Sequence, residues 1–383
     1  MKKTLYATLI IIAIVSRASA QTHPSEILRH TINAAKNYNS LYYRVKNVNK
    51  NPFSENDTTI TETVETLDFN SNGVVIAQNI LRNINNHQTE QRELFLNDIQ
   101  YNIDLKDSIY SIDQHPKRVY NFLTSVIENI RYAINKAPSK MALHEDTTID
   151  HKSCYSIYVD LYDTIDNGNH NFTHEFFYIN KKTLLPIYTK EIGVGEAENE
   201  GHDLGRLNFF NKIYFQGYQF NKKTSGETFH FHKAGFSIKN KKMLADGALA
   251  PDILVRDLSN KPVPKSYFHG KIVLVEFGST TCGANPLANP VLNRLNKRYG
   301  SSDIIVAGIY YEETPVQIKN YIKANDLDFP IYLSDTKLKK RFQTLGTPNF
   351  YLIGKNGKIV KGIDGYSDQL EQQIAQEIDK LRE

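Results

Sequence analysis

A single cysteine, Cys282, lies where the sequence pattern changes from a strand to a helix. The apolar, largely β-branched run 272–275 leads into the stretch 277–290, and helical spacing follows through Leu292 and Leu295. Free backbone N–H groups at the start of a helix favour negative charge. We therefore expect the Cys282 thiolate to be stabilised, its pKa to fall, and the sulfur to act as a nucleophile near neutral pH.

The stretch around Cys282 resembles the active-site strand and helix of thioredoxin-fold proteins of the TlpA/ResA type. Phe277 ends the strand as in that family, and Pro290 stands where the family has a helix-kinking proline. The resemblance implies that Glu276 is the acid that thioredoxins bury behind their cysteines. It extends from Gly247 to the end of the chain and implies an α/β thioredoxin-like domain there.

Two positions depart from the family pattern. Thr281 replaces the tryptophan before the first cysteine, and Asn285 stands where the second cysteine belongs, so the motif is C-x-x-N. A second thiol normally resolves the mixed disulfide that the first one forms. Asn285 cannot do so, and we expect it to be a first-turn helix residue without chemistry. Thr281 and Gly283, the neighbours of Cys282, are predicted to contact substrate.

Thr347 and Pro348 form a second motif, which precedes a predicted hairpin. In the thioredoxin fold the matching bond is cis, which is rare enough to require a reason. The reason implied here is a backbone edge that pairs with an extended peptide beside Cys282. We therefore predict a cis Thr347-Pro348 bond and a substrate-binding role for both residues.

Three functions remain open for a single cysteine. Cys282 could attack a disulfide and then wait for an outside thiol, with Glu276 shuttling a proton. Alternatively, the domain is a redox-inactive binding module. The third function is a one-cysteine peroxidase, because peroxiredoxins have Thr or Ser three residues before their cysteine and Ser279 is there. Cys154, the other cysteine, is a possible partner thiol or a small half-buried residue on a strand.

The first twenty residues read as a signal peptide. Lys2 and Lys3 precede an apolar run, 9–15, and Ala18-Ser19-Ala20 is a small-x-small cleavage pattern. Its removal takes three of the 46 basic residues and none of the 42 acidic ones, so the net charge falls from +4 to +1. This charge gives no support to nucleic-acid binding. We expect an exported protein of the periplasm or cell envelope, with no membrane span after cleavage.

The domains are predicted at 22–235, 236–246 and 247–383, the middle segment being a basic, polar linker. Residues 22–235 favour an α+β domain with a curved antiparallel sheet, because strand-like runs alternate with two helical patterns at 25–38 and 119–134. This order, and the phrase at 178–188, resemble half-barrel domains of the LolA type. The expected partners are protein thiols and disulfides, with a hydrophobic ligand or lipoprotein for the first domain.

Histidines raise the question of a metal site. His230 and His232 share a strand face, and His170 and His174 lie close together in sequence. Zinc needs three or four converging ligands, and the sequence gives no tight spacing of these histidines with Cys or acid. We therefore expect neither a metal nor another cofactor.

Overall fold

The structure, a computed structural model, describes residues 23–54, 57–84, 91–199, 201–239, 242–311 and 313–383. The predicted signal peptide, 1–20, lies outside the described residues. Within the described part of the chain, every helix is too short or too polar to span a bilayer. Two separate sheets form, one of twelve strands and one of five.

The larger sheet is built from the N-terminal two thirds of the chain. Its strands are β1 (Ser40–Lys50), β2 (Thr58–Phe69), β3 (Val75–Ile84), β4 (Gln91–Leu96), β5 (Ile99–Asp104), β6 (Ile109–Asp113), β7 (Met141–Ile149), β8 (Lys152–Asp166), β9 (Asn169–Asn180), β10 (Pro186–Asn199), β11 (His202–Phe220) and β12 (Ser237–Ile238). Their order is β12-β6-β5-β4-β3-β2-β1-β11-β10-β9-β8-β7. Neighbours pair antiparallel, except that β12 runs parallel to β6.

Two helices, α1 (Pro24–Ala34) and α2 (Phe122–Lys136), pack against one face of this sheet. Asn121 caps α2, because its side-chain oxygen accepts a 2.9 Å hydrogen bond from the Thr124 backbone N–H. The apolar face of α2 joins strand residues such as Phe177 and Phe215 in one buried core. The α+β class expected for this region is confirmed.

Three strands differ from the sequence-based expectation. The sequence-based assignment includes neither β5 nor β7, although Ile99, Tyr101 and Ile103 of β5 alternate with polar residues. Strand β12 falls in the segment predicted as a linker, where Ser237 and Ile238 pair with Ile109 and Tyr110. The start of that segment is therefore attached to the N-terminal sheet.

The smaller sheet belongs to the C-terminal third. Its strands are β13 (Ile272–Gly278), β14 (Ile304–Tyr311), β15 (Ile331–Ser334), β16 (Asn349–Ile353) and β17 (Ile359–Asp364), and its helices are α3 (Asn285–Tyr299), α4 (Pro315–Ala324), α5 (Thr336–Arg341) and α6 (Leu370–Arg382). The order is β15-β14-β13-β16-β17. Strands β13, β14 and β15 are parallel, whereas β16 pairs antiparallel with β13.

Strand β13 is the centre of this domain and is buried along its whole length. Its apolar residues point alternately into two cores, one on each face of the sheet. This explains the apolar run 272–275 that opens it, since helices or loops cover both faces. The carboxyl end of β13 therefore emerges from a rigid core directly before Cys282.

The spacing of Asp368 and Glu371 predicts a capping box at the start of α6, and this prediction is wrong. Gln369 is the N-cap residue and its side chain makes no capping hydrogen bond. Glu371 instead forms an ion pair with Arg294 of α3, with 2.7 Å between Arg294 Nη2 and Glu371 Oε2. This ion pair engages the Glu371 side chain, which a capping box at the start of α6 would also need.

Candidate functional site

Cys282 lies in the turn that joins β13 to α3. The helix begins only at Asn285, so the expectation that Cys282 opens the helix is corrected by three residues. The Cys282 backbone N–H donates to the Ser279 carbonyl at 3.3 Å, and the Asn285 N–H donates to the Cys282 carbonyl at 3.1 Å. The thiol is thus carried by a hydrogen-bonded turn at the helix entrance, and it is half-buried.

The Cys282 thiol faces the Thr347-Pro348 bond. This bond is cis, as predicted. The sulfur donates a hydrogen bond to the Thr347 carbonyl oxygen at 3.1 Å. The turn after β13 and the loop before β16 therefore meet at the sulfur, because these two strands are neighbours in the sheet.

Glu276 is fully buried in β13. Burial raises the pKa of its carboxyl group to about 8, although hydrogen bonds from Asn285 and Tyr310 oppose the shift. Glu276 Oε1 accepts a 2.7 Å hydrogen bond from the Asn285 side chain. Glu276 Oε2 is buried and has no hydrogen-bond partner among the described residues.

Asn285 was expected to be a first-turn helix residue without chemistry, but it contacts other residues of the site. Its side chain is fully buried. Its amide nitrogen donates to Glu276, and its amide oxygen accepts from the Ser279 backbone N–H at 3.3 Å. The residue at the altered resolving position thus connects the buried acid to the turn that carries Cys282.

A second acid, Glu313, was missed by the sequence analysis. Its Oε1 accepts hydrogen bonds from the Thr280 backbone N–H at 2.7 Å and from Ser279 Oγ at 2.9 Å. Burial raises the pKa of Glu313 to about 7. The available signal was its place just after β14, because adjacent parallel strands end at the same edge of a sheet.

The turn between β1 and β2 of the N-terminal sheet also reaches the cysteine turn. Asn51 Nδ2 donates to the Thr280 carbonyl at 2.9 Å. The Phe53 ring lies against Gly283, so that a Cβ built on the glycine would be 3.5 Å from the ring. Asn325, at the end of α4, donates to the Phe53 carbonyl at 3.0 Å. No local sequence pattern indicates this docking, because it joins residues more than 200 positions apart.

Two other residues predicted from the sequence, Thr281 and Cys154, lie in different environments. Thr281 is exposed and shares a 3.1 Å hydrogen bond with Ser279. Cys154 lies in β8 with none of its surface exposed, and burial raises the pKa of its thiol. Both cysteines are free, so Cys154 does not form a disulfide with Cys282 in this structure. Cys154 is fully buried rather than half-buried as expected.

The two domains also meet on the other side of the Pro348 loop. Lys239, just after β12, donates to the Leu345 carbonyl at 3.3 Å. A cavity of about 550 Å³ lies there between β4, β5, β6, β12 and α5. It extends to Thr344, three residues before Thr347.

The C-terminal region matches a known family. Residues 247–361 match the sequence model of the AhpC/TSA family. The C-terminal third of the chain is accordingly a thioredoxin-like domain, as the sequence resemblance predicted. More narrowly, it is similar to thiol-disulfide oxidoreductases of the ResA type.

Two ResA relatives define this similarity. The thiol-disulfide oxidoreductase ResA of Bacillus thuringiensis subsp. konkukian (strain 97-27) is 29% identical over 148 residues, which cover 38% of this chain and 84% of that protein. ResA of Bacillus subtilis (strain 168) is 25% identical over 137 residues, covering 34% and 76%. Among solved structures, a putative thiol:disulfide interchange protein DsbE from Chlorobium tepidum is 19% identical, with a TM-score of 0.34, and covers 36% of this chain and 98% of its own. The resemblance of the N-terminal domain to LolA-type half-barrels stays a prediction.

Proposed function

We propose that the protein carries out thiol–disulfide exchange through Cys282 alone. The observation that carries the proposal is the 3.1 Å contact between Cys282 Sγ and the Thr347 carbonyl. It holds a half-buried sulfur beside a backbone edge at which an extended peptide can lie. The similarity to ResA-type oxidoreductases supports the same class of reaction.

The exchange step balances with the residues present. The Cys282 thiolate attacks one sulfur of a substrate disulfide, a new S–S bond forms, and the substrate's second sulfur leaves as a thiolate that takes up a proton. An external thiol then attacks the substrate sulfur of the mixed disulfide. Cys282 leaves as a thiol, and the external sulfur stays joined to the substrate sulfur by the new S–S bond. Cys154 cannot serve in this step without movement, because it is fully buried in the other sheet.

Glu276 would act as a proton store behind the cysteine turn. Its Oε1 is occupied by the Asn285 amide, so the acidic proton belongs on Oε2, which has no partner in the described part of the chain. With a pKa of about 8, the carboxyl group holds that proton at neutral pH and can release it. Glu276 touches Asn285 rather than the sulfur, so we assign it a positioning role.

We further propose that the protein is exported and acts on protein thiols or disulfides of the cell envelope. The support is the basic start, apolar run and Ala18-Ser19-Ala20 pattern of the sequence. The test is N-terminal sequencing of the protein recovered from the envelope fraction. An intact residue 1 there would contradict cleavage.

Trapping experiments test the exchange reaction. The wild-type chain, incubated with a peptide disulfide and quenched with acid, is expected to show a mixed disulfide at Cys282 by mass spectrometry. Cys282→Ser should show none, whereas Cys154→Ser should behave as wild type. A wild-type chain that forms no adduct would refute the proposal.

A redox-inactive binding module is the second candidate. It is favoured by Asn285, which replaces a thiol with a residue that ties Glu276 in place. If binding is the function, Cys282→Ser should complement a null strain as well as wild type does. The peroxidase alternative has less support, because the Ser279 hydroxyl is bonded to Glu313 at 2.9 Å. Peroxide treatment followed by a search for sulfenic acid at Cys282 tests it.

A further inference from the structure

The outer half of strands β8 and β9 carries a cluster of histidine and aspartate that the thiol chemistry does not use. Asp160, Asp163 and His174 each offer one ligand atom, and these atoms all lie within 4.8 Å of one another. We propose that the three residues form a binding site for one divalent metal ion of the zinc type. The site lies in the N-terminal domain and is independent of Cys282.

A β-bulge brings the two aspartates to one face of the sheet. Residues three apart on a regular strand point to opposite faces. The register of β8 against β9 shifts between Asp160 and Tyr162, so Asp160 lies opposite His174 and Asp163 lies opposite Phe172. The added residue restores Asp163 to the His174 face. The sequence spacing hid the cluster for this reason.

Each ligand has one atom left for a metal. Lys140 Nζ lies 3.2 Å from Asp160 Oδ2, while Asp160 Oδ1 is buried without a hydrogen-bond partner among the described residues. His170 Nε2 lies 2.8 Å from Asp163 Oδ1, which leaves Asp163 Oδ2 facing His174. His174 Nε2 makes no hydrogen bond within the same described set, and its neighbour is Asp163 Oδ2 itself, in an ion pair at 3.4 Å.

One pair of ligand atoms already has the spacing that a tetrahedral ion requires, and all three atoms lie within 4.8 Å of one another. Ligand atoms at about 2.0–2.2 Å from zinc in tetrahedral geometry are about 3.3–3.6 Å apart. The distance between His174 Nε2 and Asp163 Oδ2 is 3.4 Å. One nitrogen and two carboxylate oxygens suit zinc, and three protein ligands leave a position for water. His170 would hold the Asp163 carboxylate in its ligating orientation, as hydrogen-bonded partners of metal ligands do.

Calorimetric titration with Zn²⁺ tests the site. The full chain, purified without a histidine tag, is expected to bind one zinc per molecule with saturation. Asp160→Asn, Asp163→Asn and His174→Asn should each weaken binding at least about tenfold, and His170→Asn should weaken it less. Circular dichroism of each variant checks that it is folded. If one ligand variant is unfolded, the other two still test the site.

Two controls separate this site from other zinc binding. His232 and Glu227 form a comparable surface pair, with 3.1 Å between Nε2 and Oε2, but no third ligand atom groups with them in the described structure. The variant His232→Asn with Glu227→Gln should bind zinc as wild type does. Cys282→Ser should also retain the site. Absence of saturable binding, binding unchanged in the three ligand variants, or loss of binding in Cys282→Ser would overturn the proposal.

Discussion

The Asn285 side-chain nitrogen lies 2.7 Å from Glu276 Oε1, and both residues are closed to solvent. The pair occupies the space behind the cysteine turn. An acid in this position is costly to ionise, because it is fully buried and the hydrogen bonds from Asn285 and Tyr310 offset only part of that cost. The position that lacks the second thiol is therefore used to orient the buried acid.

The first prediction concerns the pH dependence of stability. Glu276 has a pKa of about 8 in the folded chain, against 4.5 for an unperturbed group. The folded state thus binds more protons than the unfolded state between these values, so the stability contribution is full below about pH 4.5 and falls as pH rises through 8. Glu276→Gln removes this dependence. We expect the difference in unfolding free energy, wild type minus variant, to fall by about 3 kcal/mol from pH 5 to pH 8.

Urea unfolding at pH 5, 6.5 and 8 measures this difference. Glu65 and Glu175 are also buried acids with pKa values raised to about 7 and about 8, and they contribute to the total slope. Comparison with Glu276→Gln isolates one group, since Glu65, Glu175 and Glu313, whose pKa is also raised by burial, remain in both proteins. A difference that is constant with pH would mean that Glu276 ionises normally in the folded chain.

The second prediction concerns the altered motif. Asn285→Cys restores a second thiol three residues after Cys282 and removes the amide bond to Glu276. We expect the variant to form an internal disulfide and to turn over a peptide disulfide at least about tenfold faster with dithiothreitol, because the resolving step becomes intramolecular. Asn285→Ser is the matched control, since it loses the amide without gaining a thiol. Equal rates in the two variants would show that resolution does not limit the reaction.

The third prediction concerns the two thiols. Cys154 is fully buried and its pKa is raised by burial, whereas Cys282 is half-buried in a turn. Iodoacetamide should therefore label one thiol in the native protein and two in urea. Peptide mapping should place the native label on Cys282. Labelling of Cys154 at a similar native rate would show that β8 opens readily.

The fourth prediction concerns the turn between β1 and β2. Phe53→Ala removes the ring that packs beside Gly283, and we expect a loss of about 1–2 kcal/mol, because Phe53 is only partly buried. The freed turn should raise the rate of Cys282 alkylation severalfold. Val74→Ala, a change at an exposed position of another turn in the same sheet, is the control. An unchanged rate in Phe53→Ala would mean that the contact does not restrain the cysteine.

The C-terminal architecture could be predicted because its signals are local. A largely apolar strand, a cysteine, Pro290 and Thr347-Pro348 follow one another in a fixed order. The start of α3 was placed three residues early, because the turn from Ser279 to Asn285 closes with its own hydrogen bonds before the helix begins. The capping box of α6 does not form, because the N-cap is Gln369 rather than Asp368 and Glu371 pairs with Arg294 of α3.

The site was less accessible to sequence reasoning than the fold. Cys282, Pro348 and Glu276 are visible as a pattern, but the contacts of Asn285 and Glu313 depend on which side chains are buried together. Asn51 and Phe53 belong to a different sheet and reach the cysteine turn only through the tertiary structure. The His174 cluster depends on one extra residue in β8, which alternation alone does not reveal.

The contact of Phe53 with the cysteine turn affects which part of the chain should be expressed for measurements. A shortened version that starts at Gly247 would retain the five-stranded sheet but lose the aromatic ring over Gly283 and the Asn51 bond to Thr280. Phe53 packs against the buried core of the C-terminal domain, so its loss would uncover part of that core. Reaction rates measured on such a fragment would describe a Cys282 thiol that is more exposed to solvent and has more apolar surface around it than in the full chain.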